Sequence, residues 1–372
     1  MAKRTIMLSA GGTGGHLFPA YALAEELTRR DCAVDLITDM RGDRYAKSFP
    51  GRTIHKVAAA TLGSRSVKAF AQTGFTLSKG IAMAHRILGQ VKPQAVIGFG
   101  GYPTFPPLVA ARLRGIPTAL HEQNAILGKA NRMLAKRVDA IATSFEQTRL
   151  GDADTEATRA KIHFTGNPVR DVVRAWSAKQ AYEPPAPIGQ LNLLVFGGSQ
   201  GARYFSDVMP VALAALSETV RQRFFVVQQC REEDLERVRA AYAAAGIEAH
   251  LAAFFDDLPE AMAKAHLIIA RAGASTLAEL TVMGRPAILV PLPHALDNDQ
   301  LLNATELAEA GAGWCIQQDT LSDEQLGREI ERLLSAPSIL ATAAAKAREM
   351  GPHDAVARLA DLVERLANGG TD

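Results

Sequence analysis

Three glycine-rich segments hold the residues whose types and spacing best suit chemistry: Gly11-Gly-Thr-Gly-Gly-His16, Gly100-Gly-Tyr-Pro-Thr104 and Gly197-Gly-Ser-Gln-Gly-Ala202. Each follows a short apolar run and leads toward a helical pattern. There, bare backbone N–H groups and the positive end of a helix suit a phosphate or an oxyanion. A tight strand-to-helix turn explains any one of them equally well, but is a poor explanation for all three. None is a P-loop, because no Gly-Lys-Ser/Thr follows. None is a dinucleotide fingerprint either, since Gly12-x-Gly14 is followed by Leu17 where a third glycine belongs. Asp39, ending the second apolar run, stands where a ribose-binding acid would, which keeps a nicotinamide oxidoreductase as a rival.

Further polar groups cluster at the ends of apolar runs. His121-Glu-Gln-Asn124 sets four hydrogen-bonding side chains at the end of one such run, an expensive choice in a buried sheet unless they face a cleft at its carboxyl edge. Arg271-Ala-Gly-Ala-Ser-Thr-Leu-Ala-Glu279 offers small residues that let a backbone approach a ligand at a helix start. Glu279 then stands one turn in, where a carboxylate can take the two hydroxyls of a ribose; a solvated helix acid is the alternative. Pro291-Leu-Pro-His-Ala-Leu-Asp-Asn-Asp-Gln300 carries polar groups suited to sugar hydroxyls. Two Asp-x-Asp triplets raise the question of a divalent ion. Asp152-Ala-Asp154 reads as a surface loop, and Asp297-Asn-Asp299 serves hydroxyl binding as well as metal binding. No protein-bound metal and no cofactor is expected.

Alternating strands and helices must position these groups. Residues 5–10, 33–38, 95–98, 117–120 and 138–142 read as buried parallel strands, and 191–196, 224–228, 267–270 and 287–290 repeat the pattern. Helical stretches lie between, including 20–30, 235–245 and 322–334, the last opening on the capping box Ser322-Asp-Glu-Gln325. Around Gly166-Asn-Pro-Val-Arg170 and Tyr182-Glu-Pro-Pro-Ala-Pro187 the alternation yields to proline-rich sequence that suits a linker. The chain of 372 residues therefore reads as two Rossmann-like domains, 1–168 and 169–351. A final helix, about 352–368, follows Gly351-Pro352 and crosses back to pack on one of them, the N-terminal domain being the expected partner.

Three scattered cysteines (Cys32, Cys230, Cys315) exclude a disulfide framework and fit a reducing cytoplasm. No apolar run has the length of a signal or a membrane span. The net charge of +2 hides an imbalance, with residues 1–165 at +11 and 166–372 at −9. Eleven basic side chains lie between Arg44 and Arg114, and no acid stands between Asp43 and Glu122. Such a stretch attracts an anionic partner: a phosphate-bearing substrate, an acidic membrane or nucleic acid.

Taken in order, Gly11-Gly-Thr-Gly-Gly-His16, Gly100-Gly-Tyr102, His121-Glu-Gln-Asn124, Gly166-Asn-Pro-Val-Arg170, Gly197-Gly-Ser-Gln-Gly-Ala202 and the stretch from Gly273 to Glu279 make the chain resemble the bacterial murein N-acetylglucosaminyltransferase family over essentially its whole length. The resemblance implies an α/β GT-B fold, two Rossmann-like domains with parallel sheets facing across a cleft. It implies inverting transfer of GlcNAc from UDP-GlcNAc to the MurNAc C4 hydroxyl of lipid I (undecaprenyl-pyrophosphoryl-MurNAc-pentapeptide), giving lipid II for peptidoglycan synthesis. The N-terminal domain would take the acceptor and the C-terminal domain the donor. By family pattern Ser199 and the helix start at Gly273, Ala274, Ser275 and Thr276 hold the diphosphate, the backbone at Phe255 reads uracil, and Glu279 binds the ribose. Asn124 and Gln300 address the GlcNAc, Thr13, Gly14 and Gly15 line the cleft, and Arg170 belongs to the hinge. Phe255 is larger than the residue common at its position. The stretch 295–300 departs enough that Asp299 competes with Gln300 as the sugar ligand.

The acceptor hydroxyl needs a base titrating near neutral pH, and His16 is the best candidate, with Glu122 in reserve and a loop-ordering role as the alternative for His16. Expected partners are UDP-GlcNAc, lipid I, an anionic membrane surface and proteins of cell-wall synthesis and division, with no nucleic acid. The expected location is peripheral, on the cytoplasmic face of the inner membrane. Segment 64–90, with Val67, Phe70, Phe75, Leu77 and Ile81 among Arg65, Lys68, Lys79 and Arg86, reads as a docking helix; an ordinary covering helix is the alternative. The rivals are a UDP-GlcNAc 2-epimerase, a glycolipid glycosyltransferase, and a non-enzymatic nucleotide-binding regulator.

Overall fold

The computed structural model describes residues 3–11, 14–39, 49–59, 67–293 and 296–370, with backbone alone for 67–72, 199–202 and 296. Thr13, Arg65 and the side chains of Val67, Lys68, Phe70 and Ser199 therefore lie outside the described residues. The chain forms two units, Met1–Asp171 with Pro352–Asp372, and Val172–Gly351.

The first unit is built on seven strands: β1 (Thr5–Ser9), β2 (Ala33–Thr38), β3 (Thr53–Lys56), β4 (Ala95–Gly98), β5 (Thr118–Glu122), β6 (Ala140–Thr143) and β7 (Ile162–Phe164). They pair in parallel in the order β3-β2-β1-β4-β5-β6-β7. Helices α1 (Gly14–Arg29), α2 (Val67–Val91), α3 (Phe105–Leu113), α4 (Lys129–Ala135) and α5 (Glu156–Arg159) connect them. Alternation along β1 shows why its residues are all apolar or small. Ile6 and Leu8 enter the core beneath α1, while Met7 enters the opposite core with Leu108 of α3 and Leu134 of α4.

The second unit opens with α6 (Asp171–Lys179) and carries β8 (Leu191–Phe196), α7 (Gly198–Ala214), α8 (Glu218–Arg221), β9 (Phe224–Gln229), α9 (Leu235–Ala244), β10 (Glu248–Ala252) and α10 (Leu258–Lys264). It continues through β11 (Leu267–Ala270), α11 (Ala274–Met283), β12 (Ala287–Leu289), α12 (Asp299–Glu309), β13 (Gly313–Cys315), α13 (Asp323–Leu334) and α14 (Pro337–Met350). Its six strands are again parallel, in the order β10-β9-β8-β11-β12-β13. Both sheets thus reverse their winding beside the first strand, between β1 and β4 and between β8 and β11. Crevices at the carboxyl ends of strands open at such a switch point.

The last helix, α15 (Ala355–Ala367), belongs to the first unit. Leu359, Ala360, Leu362, Val363 and Leu366 complete the core over α1. Arg30 of α1 bridges Asp361 at 2.5 Å and Glu364 at 2.9 Å. Ser322 accepts from Gln325 N while the Gln325 side chain accepts from Ser322 N, the capping box read from the sequence.

Nine central strands stand where the apolar runs predict them, within about two residues. Four strands have no counterpart in that reading, β3, β7, β10 and β13, and these are the four sheet edges. An edge strand is covered less completely, so it lacks the continuous apolar run that marks a strand buried on both faces.

Candidate active site

In the first unit the loops leaving β1, β4 and β5 start side by side, because Ser9 pairs with Gly98 and Gly98 with Leu120. His16, in the first turn of α1, lies against the loop after β4. A Cβ on Gly100 would stand 3.3 Å from its Cε1, and one on Gly101 3.3 Å from its Cδ2. Both glycines also have positive φ, 85° and 73°, so a side chain at either would be strained. The second glycine loop, read as a phosphate cradle or a turn, therefore serves as a bed for the imidazole.

His16 Nδ1 lies 3.0 Å from Gln123 Oε1. Gln123 Nε2 in turn donates to His121 O at 2.9 Å and meets His121 Nδ1 at 2.9 Å. His121 Nε2 donates to Gly166 O at 3.0 Å. His121 and Gln123 are buried, and burial pushes the His121 pKa down to about 4, keeping it neutral. The loop from Gly166 to Arg170 meets this region a second time, where the Arg170 guanidinium stacks 4.0 Å over the Phe18 ring.

Glu122, the reserve base, is saturated. Its Oε1 accepts from Asn124 N at 3.0 Å and Asn124 Nδ2 at 3.1 Å, and its Oε2 from Gly128 N at 2.8 Å and Asn131 Nδ2 at 2.7 Å. With 1% of its surface exposed, four donors hold it as an anchor for the 122–131 loop. Asn131 was not singled out from the sequence. Its signal, a buried amide nine residues beyond Glu122, emerges only in the fold.

In the second unit β8 and β11 end level, Phe196 pairing with Ala270, and β12 beside them. The helices that follow, α7 at Gly198 (φ 65°) and α11 at Ala274, begin at the switch point. Gly273 is the N-cap of α11 and offers no capping side chain, so the first-turn N–H groups of Ala274, Ser275 and Thr276 have no side-chain cap from that position. Glu279 is buried on the same helix. Asn303 of α12 ties this loop by donating to Ala272 O at 3.1 Å.

Arg271 is buried, its Nη1 donating to Val290 O at 3.2 Å and Pro291 O at 3.1 Å, and so ties this loop to the one after β12. Before α12, Asp297 and Asn298 take positive φ of 62° and 53°, a turn that brings Asp299 and Gln300 to the helix start. Gln300 Oε1 accepts from Leu292 N at 3.0 Å, and Gln300 N donates to Asp299 Oδ1 at 2.8 Å. Phe255, half-buried beyond β10, packs its ring against His250 at 5.5 Å.

The Asp152-Ala-Asp154 triplet is split between two partners, Arg132 at 3.1 Å and Arg159 at 2.7 Å. Among the described residues no group of three or more His, Cys, Asp or Glu is placed to hold a metal ion.

Two Rossmann-like units with parallel sheets, each with glycine-rich loops at its switch point, are the arrangement of a GT-B glycosyltransferase. Residues 6–143 match the glycosyltransferase family 28 N-terminal domain, and residues 192–365 the family 28 C-terminal domain. A relative from Mesorhizobium japonicum is 49% identical over 371 residues, covering 100% of this chain and 97% of its own length. One from Rhodopseudomonas palustris is 48% identical over 362 residues, covering 97% and 98%. Both are named UDP-N-acetylglucosamine–N-acetylmuramyl-(pentapeptide) pyrophosphoryl-undecaprenol N-acetylglucosamine transferase, and the chain belongs to that family. The crystal structure of Acinetobacter baumannii MurG superposes with a TM-score of 0.75 at 31% identity, over 97% of this chain and 99% of that one. A Neisseria meningitidis UDP-GlcNAc 2-epimerase, at 15% identity and a TM-score of 0.67 over 97% of this chain and 100% of its own, shares the fold alone.

Proposed function

We infer that this enzyme transfers N-acetylglucosamine from UDP-GlcNAc to undecaprenyl-pyrophosphoryl-MurNAc-pentapeptide, making the lipid-linked disaccharide for peptidoglycan. Identity of 49% over the whole chain with a relative named for that activity carries the reading. The second unit takes the donor. Ser199 and the first turn of α11 hold the diphosphate, Glu279 the ribose, the Phe255 backbone the uracil, and Gln300 or Asp299 the sugar. The first-turn N–H groups and positive end of α11 neutralise the leaving diphosphate.

The first unit takes the acceptor, with Gly14 and Gly15 around it and Arg170 securing the loop behind, while Asn124 addresses the GlcNAc. The C4 hydroxyl gives its proton to His16 as its oxygen attacks the anomeric carbon. The bond from that carbon to UDP breaks, and its electron pair leaves on the β-phosphate oxygen. Attack opposite the leaving group inverts the centre to a β-1,4 link. UDP release on adding the lipid-linked MurNAc-pentapeptide, and with no other acceptor, is the expected result. Conversion of UDP-GlcNAc to its 2-epimer would overturn the reading.

The acceptor's polyprenyl tail keeps it in a bilayer, so the first unit docks there. None of the described helices is long and apolar enough to cross a membrane. On α2, Phe75 is 74% exposed, and Lys79, Met83 and Arg86 are exposed with it. Leu113 at the end of α3, which packs on α2, is 69% exposed. Ile81, from the same stretch, packs on the core instead. Apolar tips among basic groups suit peripheral contact with acidic lipid.

A further inference from the structure

We propose that Gln123 is a positioning residue that holds His16 as the tautomer protonated on Nδ1, leaving Nε2 to take the acceptor proton. The inference rests on the reading of His16 as the base. It follows from hydrogen-bond direction, traced from one end of a buried chain to the other.

The chain starts at Gly166 O, which can only accept and receives His121 Nε2 at 3.0 Å. The His121 proton is therefore on Nε2, and its Nδ1 is a bare acceptor. Gln123 offers its amide nitrogen to that Nδ1 and to His121 O, each at 2.9 Å. A backbone carbonyl cannot donate, so the orientation of the Gln123 amide is set without reference to His16. Both amide protons are then committed, and what remains toward His16 Nδ1, 3.0 Å away, is an acceptor oxygen. His16 must carry its proton on Nδ1. An unconstrained histidine side chain in water prefers the opposite tautomer, with the proton on Nε2, which would leave no lone pair on that nitrogen. Gly166, His121 and Gln123 carry no charge, so they orient the imidazole without adding any. Gly100 and Gly101, without side chains, leave the ring room beside the loop after β4.

Gln123→Leu should lower kcat roughly ten- to hundredfold, the usual range for a lost orienting partner, with the KM for UDP-GlcNAc unchanged. In the His16→Ala background the same substitution should add no further loss. Nitrogen-15 spectra of the wild-type histidines at neutral pH should show His16 with a bare Nε2, and those of Gln123→Leu a mixture of tautomers. Equal losses from Gln123→Leu in both backgrounds, or a wild-type His16 protonated on Nε2, would overturn the proposal. The wild-type spectrum decides it even where the variant folds poorly. Retention of kcat by His16→Ala alone would instead overturn the role of His16 as base.

Discussion

His16→Ala is expected to lower kcat about a hundredfold or more while leaving UDP-GlcNAc affinity unchanged, since general-base catalysis contributes about 10²–10⁴. An equal loss of donor affinity would make the residue a loop former. Glu279→Ala should weaken UDP and UDP-GlcNAc alike by about 1.5–3 kcal/mol, the worth of a charged hydrogen bond; titration calorimetry showing no change for UDP would remove Glu279 from the site. His121 links the site to stability. Its pKa lies at about 4 in the fold against 6.5 unfolded, because desolvation outweighs the bond to Gly166. Between those values the unfolded chain binds the proton and the fold does not, so stability rises with pH by at most about 1.4 kcal/mol per unit. His163 and His266, also pushed down by burial, act in the same direction. Urea titrations at pH 5 and 7 should show this slope, and His121→Gln should flatten it for the first unit; an undiminished slope would place the effect elsewhere. The candidate residues were legible from their types at strand ends. The sense of each hydrogen bond was not, because it depends on which carbonyl faces which ring, and residues 121 and 166, like 16 and 123, meet only through the fold.

Close approach between helices accounts for glycines that propensity disfavours. Gly327 lies inside α13, where a Cβ would stand 2.2 Å from Ala212 O of α7. Glycine to alanine in a helix interior ordinarily adds about 1 kcal/mol, but here it forces the two helices apart. Gly327→Ala should therefore destabilise the second unit by about 1–3 kcal/mol, as overpacking does, seen as a lower unfolding midpoint; a raised midpoint would show that α13 can shift freely. The same dependence on neighbours limits what a sequence reveals about strands. β4, and β8 apart from Asn192, carry no polar side chain because both faces are covered. β3, with Thr53, Ile54, His55 and Lys56, has no fully buried residue and is specified by what it pairs with, Asp35 to Thr38 of β2.

The charge imbalance between the two halves becomes a directional property of the whole molecule if the α2 face meets acidic lipid. Several basic groups near it are already engaged: Arg112 with Asp139 at 2.9 Å, and Arg114 with His85 O at 2.7 Å. Lys79 and Arg86 are exposed on α2 itself. Replacing both with Glu, together with Phe75→Ser, should abolish sedimentation with acidic vesicles at low salt and spare activity on a short-chain soluble acceptor. Undiminished sedimentation would place the docking surface elsewhere. A different consequence attaches to α15. It fills the core of the first unit, yet its residues come after the whole of the second unit along the chain. Proteins made on ribosomes usually mature from the N-terminus onward. Here the order is inverted. The second unit has all of its residues first, while the unit begun earliest waits, with the α1 side of its sheet uncovered, for the last helix to emerge. A translational pause or premature stop beyond residue 351 would thus leave a complete second unit and an unfinished first one, exposing Leu17, Leu23 and Leu27 of α1 to whatever chaperone or protease surveys nascent chains.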